Sequence, residues 1–523
     1  MTRPGVALAG LLVALWLPIA ASARLRQVAQ TSSTITAADL EHRLRIFAHD
    51  SLHGRALATR GLVSATQYIA AELRRLGLEP LGDGGSFTAT VPLERWEVEI
   101  ENARLGMRPP IAPRGFRPGV DFVPITFLRR SAGPNQVPYV VRYGGRFGGR
   151  QPVLPDSVLN FSAMVFLPEL GDDGAPAYAF WESVDWLRRY DSANAIVVGG
   201  LEMMPRHARE RLLAPRYVLA PPPSSSPAVA QRAALDSLPP VFLATTSAVQ
   251  LFMRVADSVH IFRSYQSRAS RPAGGSHNVI AMLRGRETQF PPEIVVLSAS
   301  ADGPGIAAPD DRIDGDSVIN GANAGGSGAM ALLEIAEYLV SSGERPRRSV
   351  MFVWTVGSEH GEPGAEWFVR NLTLAQRSGI LANIAVGAIG RGADGSEAGD
   401  SLSVAVVGSR DAVPNLAGRL IDVAGWPEHG VRATTDLDTR PSGARLRCTG
   451  LHPQFTRLGV PSALITAGPH ADYHTVHDDA DHIDFPAYER LVRLVASVVL
   501  DLANNSTRPA HDAGRASVPV CPN

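Results

Sequence analysis

Asp302, Glu359 and His474 are residues of this chain whose types and settings could do chemistry. Each follows a short apolar run, in IVVLSASAD, SVMFVWTVGSE and PSALITAGPHADYH. Carboxylates and an imidazole gathered at strand ends can hold a divalent cation such as Zn²⁺, or pass a proton. His360, His452, His470, His477 and Asp478 lie near them in sequence and could complete a rearranged mononuclear site. Ser300 and Ser358, with His360 or His474 close by, raise the alternative of a serine nucleophile. The segment Val-Gly-Ser-Glu-His around Ser358 lacks the Gly-x-Ser-x-Gly elbow that presents one. The run Gly325-Gly326-Ser327-Gly328 before a helix could hold an anion at the helix N-terminus, or be a turn and nothing more.

The elements that must position these residues read as strands alternating with helices. IVVLS, SVMFVWTV, NIAVGAI, LSVAVVG and PSALITA suit buried strands, with helices expected at Ser327–Leu339 and Phe485–Ala503. Further helices are expected at Ala37–His49 and Leu62–Leu76. In the second of these, Leu62, Ala65, Ile69, Leu73 and Leu76 recur at helical spacing before Gly77. The pattern predicts an α/β fold, a mostly parallel sheet between helices, with ligands beyond the strand carboxyl ends. Asp302, Glu359 and the loop after Ala467 fall at such ends. Between them, residues 99–275 are rich in Pro and Gly and carry short apolar runs. They read as an inserted β-rich domain, a lid or selecting module or else a stabilising insertion, between 24–98 and the core at 276–505. Residues 506–523 form a tail.

Composition narrows the chemistry. The 523 residues are 45% hydrophobic with a formal net charge of -1, which suits a folded protein and points to neither nucleic acid nor an anionic membrane as partner. Every basic residue is Arg, which excludes lysine Schiff bases, phosphate-loop lysines and Ser/Lys dyads. Residues 1–23 read as a secretory signal with cleavage after Ala23, so a secreted or periplasmic location is expected, with no membrane attachment after cleavage. Cys448 and Cys521, the only cysteines, could pair in an oxidising compartment or remain separate thiols.

The blocks FAHDSLHGRALATRGLVSATQYIAAELRRLGLEPLGDGGSF, SHNVIAMLRG, GDSVINGAN, LLEIAEYL, RRSVMFVWTVGSEHG, AIGR and HADYHTVHDDADHID stand in one order. In that order they resemble the co-catalytic zinc peptidases that include bacterial leucyl aminopeptidase, aminopeptidase Y and glutamate carboxypeptidase. The resemblance covers about residues 35–100 and 276–505, and the 99–275 region is similar in place to the family's protease-associated domains. It implies two zinc ions held by His, a bridging Asp, Glu, a second Asp and a final His, with another Glu as general base. Carried over by position, the first His becomes Ser300, with its orienting Asp302 retained. The bridging Asp becomes Ala324, the base Ser358 and the second Asp Gly387, while Glu359 and His474 keep their ligand types. One zinc position loses all its ligands, and the other keeps two where catalytic zinc takes three. The resemblance therefore implies a family member that has lost catalysis and binds a peptide or protein, with zinc in doubt. The alternative is a divergent mononuclear exopeptidase releasing N-terminal residues. Oligomeric state is not legible.

Overall fold

The computed structural model describes residues 31–509 except 109–113, 127–131, 135–138, 150–153, 169–183, 205–208, 210–211, 221–237, 255–259, 273, 288–291, 344, 393–401, 409–413, 439–445 and 469. The signal expected at 1–23 and Cys521 lie outside the described residues. Two helices lead in. Helix α1, Ala37–Phe47, is capped by the Thr36 side chain, which accepts from Asp39 N, and buries Leu40, Leu44 and Phe47. Helix α2, Arg60–Arg75, is capped by Thr59 and buries Leu62, Ala65, Ile69 and Leu73, one stripe at helical spacing. Gly77, at φ +72°, follows its end.

The main sheet has nine strands. They are β1 (Glu79–Pro80), β2 (Thr88–Thr90), β3 (His277–Leu283), β4 (Ile294–Ser300), β5 (Ser349–Thr355), β6 (Ile380–Val386), β7 (Ser403–Val407), β8 (Arg432–Thr434) and β9 (Ser462–Thr466). Their order is β1-β3-β5-β4-β6-β9-β7-β8, with β2 also on β3. The central β5-β4-β6-β9 block is parallel, and its strands are buried almost throughout, as the continuous apolar runs require. Helix α3 (Gly328–Ser341), helix α4 (Pro363–Arg370) and helix α5 (Phe485–Asn504) belong to the same layers. Register places the strand ends together. Ser300 pairs with Thr355 and Val386 with Ile465, so the chain leaves β4, β5, β6 and β9 at one edge. The expected helices and the α/β class are all present, with ends moved by one or two residues.

A second sheet of eight strands is built wholly from residues 104–264, between β2 and β3 in sequence, over cores of its own. Four of its strands, Tyr139–Arg146, Ser162–Leu167, Ala195–Val198 and Val241–Ala244, run parallel. The region thus mixes helices such as Thr246–Arg254 with its strands. A small third sheet, Leu93–Val98 with Arg216–Leu219 and Ser267–Ser270, lies at the junction.

Candidate functional site

Asp302 leaves β4 two residues past its end and is 1% exposed. One carboxylate oxygen, Oδ2, accepts a 2.9 Å hydrogen bond from Ser358 N, while Oδ1 is buried without a hydrogen-bond partner. Burial first, and the neighbouring Glu359 charge second, push its pKa up to about 7; the Ser358 N–H pulls the other way. An acid so placed is costly as an anion, because one oxygen is dry and unmatched.

After β5, a tight turn Ser358–His360 sits between Gly357 at φ +94° and Gly361 at φ +76°. It presents the Glu359 carboxylate to His474: Oε1 lies 3.0 Å from Nε2, off the angle of a hydrogen bond. His474 takes φ +64°, a left-handed backbone that costs an ordinary residue about 1 kcal/mol or more. Its ring stacks on Tyr473 at 4.1 Å between centroids. The His360 ring lies edge-on to Tyr217, at 4.9 Å between centroids. Burial, reinforced by Arg216 and opposed by Glu359, lowers its pKa to about 4.

The Gly-rich turn before α3 is held without a cation of its own. Asp478 accepts from Asn323 N at 2.8 Å and Ala324 N at 2.9 Å, and burial raises its pKa against those bonds. The turn's amide groups thus already bind an anion, the Asp478 carboxylate, which accounts for the anion-binding reading of this motif. Gly325, at φ +90°, lies where a Cβ would come within 2.5 Å of Asp302 O, so the turn can press on that loop only as glycine. Asn323 Oδ1 accepts from Gly390 N at 2.7 Å, and Ser327 Oγ from Ile389 N at 3.0 Å, tying the turn to the loop after β6. Beneath lies Arg55, fully buried, donating to Phe47 O, Asn320 O and Gly321 O at 2.7–2.9 Å. Burial lowers its pKa to about 10, while Asp478 and Asp302 act to raise it. Sequence reasoning missed this role, since nothing sets Arg55 apart from Arg43, Arg45 and Arg60 in the same stretch.

Residues 278–499 match the sequence profile of peptidase family M28. Over that stretch, less than half of the chain, the protein is similar to M28 peptidases. Among solved structures, the aminopeptidase from Aneurinibacillus sp. strain AM-1 is 15% identical, covering 90% of this chain and 94% of that one at a TM-score of 0.55. The fold likeness therefore runs through both sheets. The zinc aminopeptidase BSAP of Bacillus subtilis is also similar, at 15% identity, 92% and 98% coverage and a TM-score of 0.48. No curated protein matches the chain in sequence.

The side chains do not fit the two-zinc centre that the M28 resemblance implies. Ser300 ends β4 half-buried, Ala324 is buried in the Gly-rich turn, and Gly387 follows β6 with nothing within 4 Å of where a Cβ would stand. None of them offers a carboxylate or imidazole. The further candidates do not join Glu359 and His474 as a third ligand. His360 turns to Tyr217, His470 lies edge-on to Tyr473, and His477 lies near His482. His452 is buried against Gly408, and the Asp478 carboxylate is taken by the turn. Among the described residues no group of three or more His, Cys, Asp or Glu is arranged to hold a metal ion. Cys448 lies in a short turn, Leu446–Cys448. No helix among the described residues is long and apolar enough to cross a membrane.

Proposed function

We propose that this protein keeps the M28 scaffold without its zinc-dependent hydrolysis and uses the cleft at the strand ends to bind a peptide. The donor set carries the reading. Ser300, Ala324 and Gly387 bring no carboxylate or imidazole to the edge where β4, the Gly-rich turn and β6 converge. Ser358 stands at the general-base position and is itself a donor, through its backbone N–H, to Asp302. What remains is a run of acidic and aromatic contacts: Glu359 against His474, His474 on Tyr473, and His360 on Tyr217. Such a surface suits a ligand that brings its own positive charge, with carboxylate contacts made in a partly dry setting where they count for more than in water.

One observation favours a second reading, a mononuclear exopeptidase. Glu359 and His474 do converge within 3.0 Å, so a third donor from a ligand or a moved loop would complete a minimal zinc set. The test is hydrolysis of aminoacyl anilides by the mature protein, with and without added zinc, alongside calorimetric titration of short peptides. Binding without turnover under both conditions supports the proposal. Zinc-dependent turnover lost in Glu359→Gln and in His474→Ala would replace it with the second reading. Export to the periplasm or beyond, with cleavage after Ala23, belongs to the same proposal.

A further inference from the structure

We infer that a cavity at the junction of the two sheet regions binds a carboxylate carried on a compact aliphatic body, either a free acid or the C-terminal residue of a peptide. The inference stands apart from the binding reading above, because none of Ser300, Ala324, Ser358, Glu359, Gly387 and His474 is among the residues that line this cavity.

The chain passes through this junction twice, outward after β2 and back just before β3. The two passages, with Ala220, bound a cavity of about 520 Å³, within the range of small-ligand sites. Backbone bonds hold its walls. Val91 N donates to Ser276 O at 2.8 Å, Ala220 N to Pro92 O at 2.9 Å, and Thr90 N to Asp83 Oδ2 at 2.7 Å. On the return passage Gly274 presses against the lead-in to α2, where a Cβ would come within 1.8 Å of Ala58 O. A space bounded in this way exists before any ligand enters, so little ordering is left to be done on binding.

The lining has two characters. Val91, Pro92, Leu93 and Ala220 bring aliphatic surface, and the one charged side chain among the described lining residues is Arg271. Arg271 is exposed and forms no ion pair among the described residues. Ser276, in the same lining, is 4% exposed, and its Oγ has no hydrogen-bond partner. A ligand oxygen would satisfy that hydroxyl, which is costly to leave dry and unpaired. The guanidinium offers a carboxylate two parallel N–H donors, and the aliphatic wall takes the body attached to it. An ammonium in the same place would meet the charge of Arg271 with the wrong sign. A void left by packing alone would show no such preference between an acid and its amide.

The test is titration calorimetry with isocaproate, N-acetyl-leucine and N-acetyl-leucinamide on the unmodified mature protein, Arg271→Gln and Ala220→Phe. The unmodified protein is expected to bind N-acetyl-leucine about tenfold more tightly than its amide. Arg271→Gln is expected to bring acid and amide within about twofold, and Ala220→Phe, which fills the space, to weaken both by about tenfold. Tighter binding of N-acetyl-leucine than of isocaproate assigns the site to a peptide end, and the reverse order assigns it to a free acid. The inference is overturned if neither acid saturates the unmodified protein, or if Arg271→Gln keeps the preference for the acid. Unchanged binding in a folded Ala220→Phe also overturns it, by placing the ligand elsewhere. Melting curves establish folding, and Arg271→Gln, at an exposed position, decides the matter if Ala220→Phe does not fold.

Discussion

Two buried groups of charge lie in the same domain and have been treated differently. In the first, Arg43 of α1 sits wholly out of water and donates to Glu334 at 2.8 Å, to Glu72 at 3.1 Å and to Glu337, with Arg75 adding a second cation. Burial alone would lower the Arg43 pKa, but Tyr68 and the three glutamates carry it above its ordinary value. In the second, Asp302 has one oxygen bonded and one bare, with the Glu359 carboxylate for a neighbour and Arg55 committed to backbone carbonyls. The first group is complete and ties α1, α2 and α3 together. The second has the acids of a cation site without its set of donors. The charges of the Arg43 group are matched by partners, while those around Asp302 are not.

The contrast between the two groups would vanish if the second were completed. A Ser300→His, Ala324→Asp, Ser358→Glu, Gly387→Asp variant is expected to bind about two zinc equivalents where the unmodified protein holds almost none. Elemental analysis after desalting reads this directly. A variant that stays metal-free would mean that the loops no longer stand where the ligands would need them.

Breaking the first group should cost stability rather than binding. Arg43→Met strands Glu334 and leaves Glu72 and Glu337 to Arg75 alone, and is expected to lose about 4 kcal/mol in denaturant unfolding. A loss below about 1 kcal/mol would show that the group is wetter than its geometry indicates.

A smaller effect separates the two by pH. Asp302 is raised in the folded protein to about 7, so the folded state holds this proton more tightly than the unfolded chain. Its contribution is best at low pH and is lost as pH rises from the ordinary carboxylate range through about 7. Asp302→Asn keeps the acceptor for Ser358 N and removes the charge. It is expected to gain about 2 kcal/mol at pH 8 and almost nothing near pH 4. Melting temperatures across that range would show parallel curves if Asp302 were instead an ordinary acid.

The least perturbing probe is Gly387→Ala. Its added methyl has open space around it, and its backbone is not in the left-handed region, so stability should move by no more than about 0.5 kcal/mol. A large loss on chemical denaturation would mean that the space beside β6 is filled.

Much of the fold was legible in the chain because its signals are local. The Leu62-Ala65-Ile69-Leu73 stripe and the runs IVVLS and SVMFVWTV fix α2, β4 and β5 within a residue or two. The placement of Asp302 and Glu359 beyond strand ends came from the same runs. What could not be read depends on contacts between distant segments. Arg55 and Asp302 meet across the fold, Asp478 caps a turn some 150 positions earlier, and Tyr217 reaches His360 from the other sheet region. No periodicity marks such pairs. The parallel half of the second sheet was missed for a related reason: its Pro- and Gly-rich texture signals turns and leaves strand direction open.

That this protein does not use bound zinc is tested most directly by zinc per chain. The mature protein, purified without chelator or metal-affinity resin, loaded with zinc and desalted, is expected to retain less than about a tenth of an equivalent. One tightly held equivalent, lost on mutating Glu359 or His474, would contradict this and favour a mononuclear peptidase. Two equivalents would show that ligands other than Glu359 and His474 complete the site.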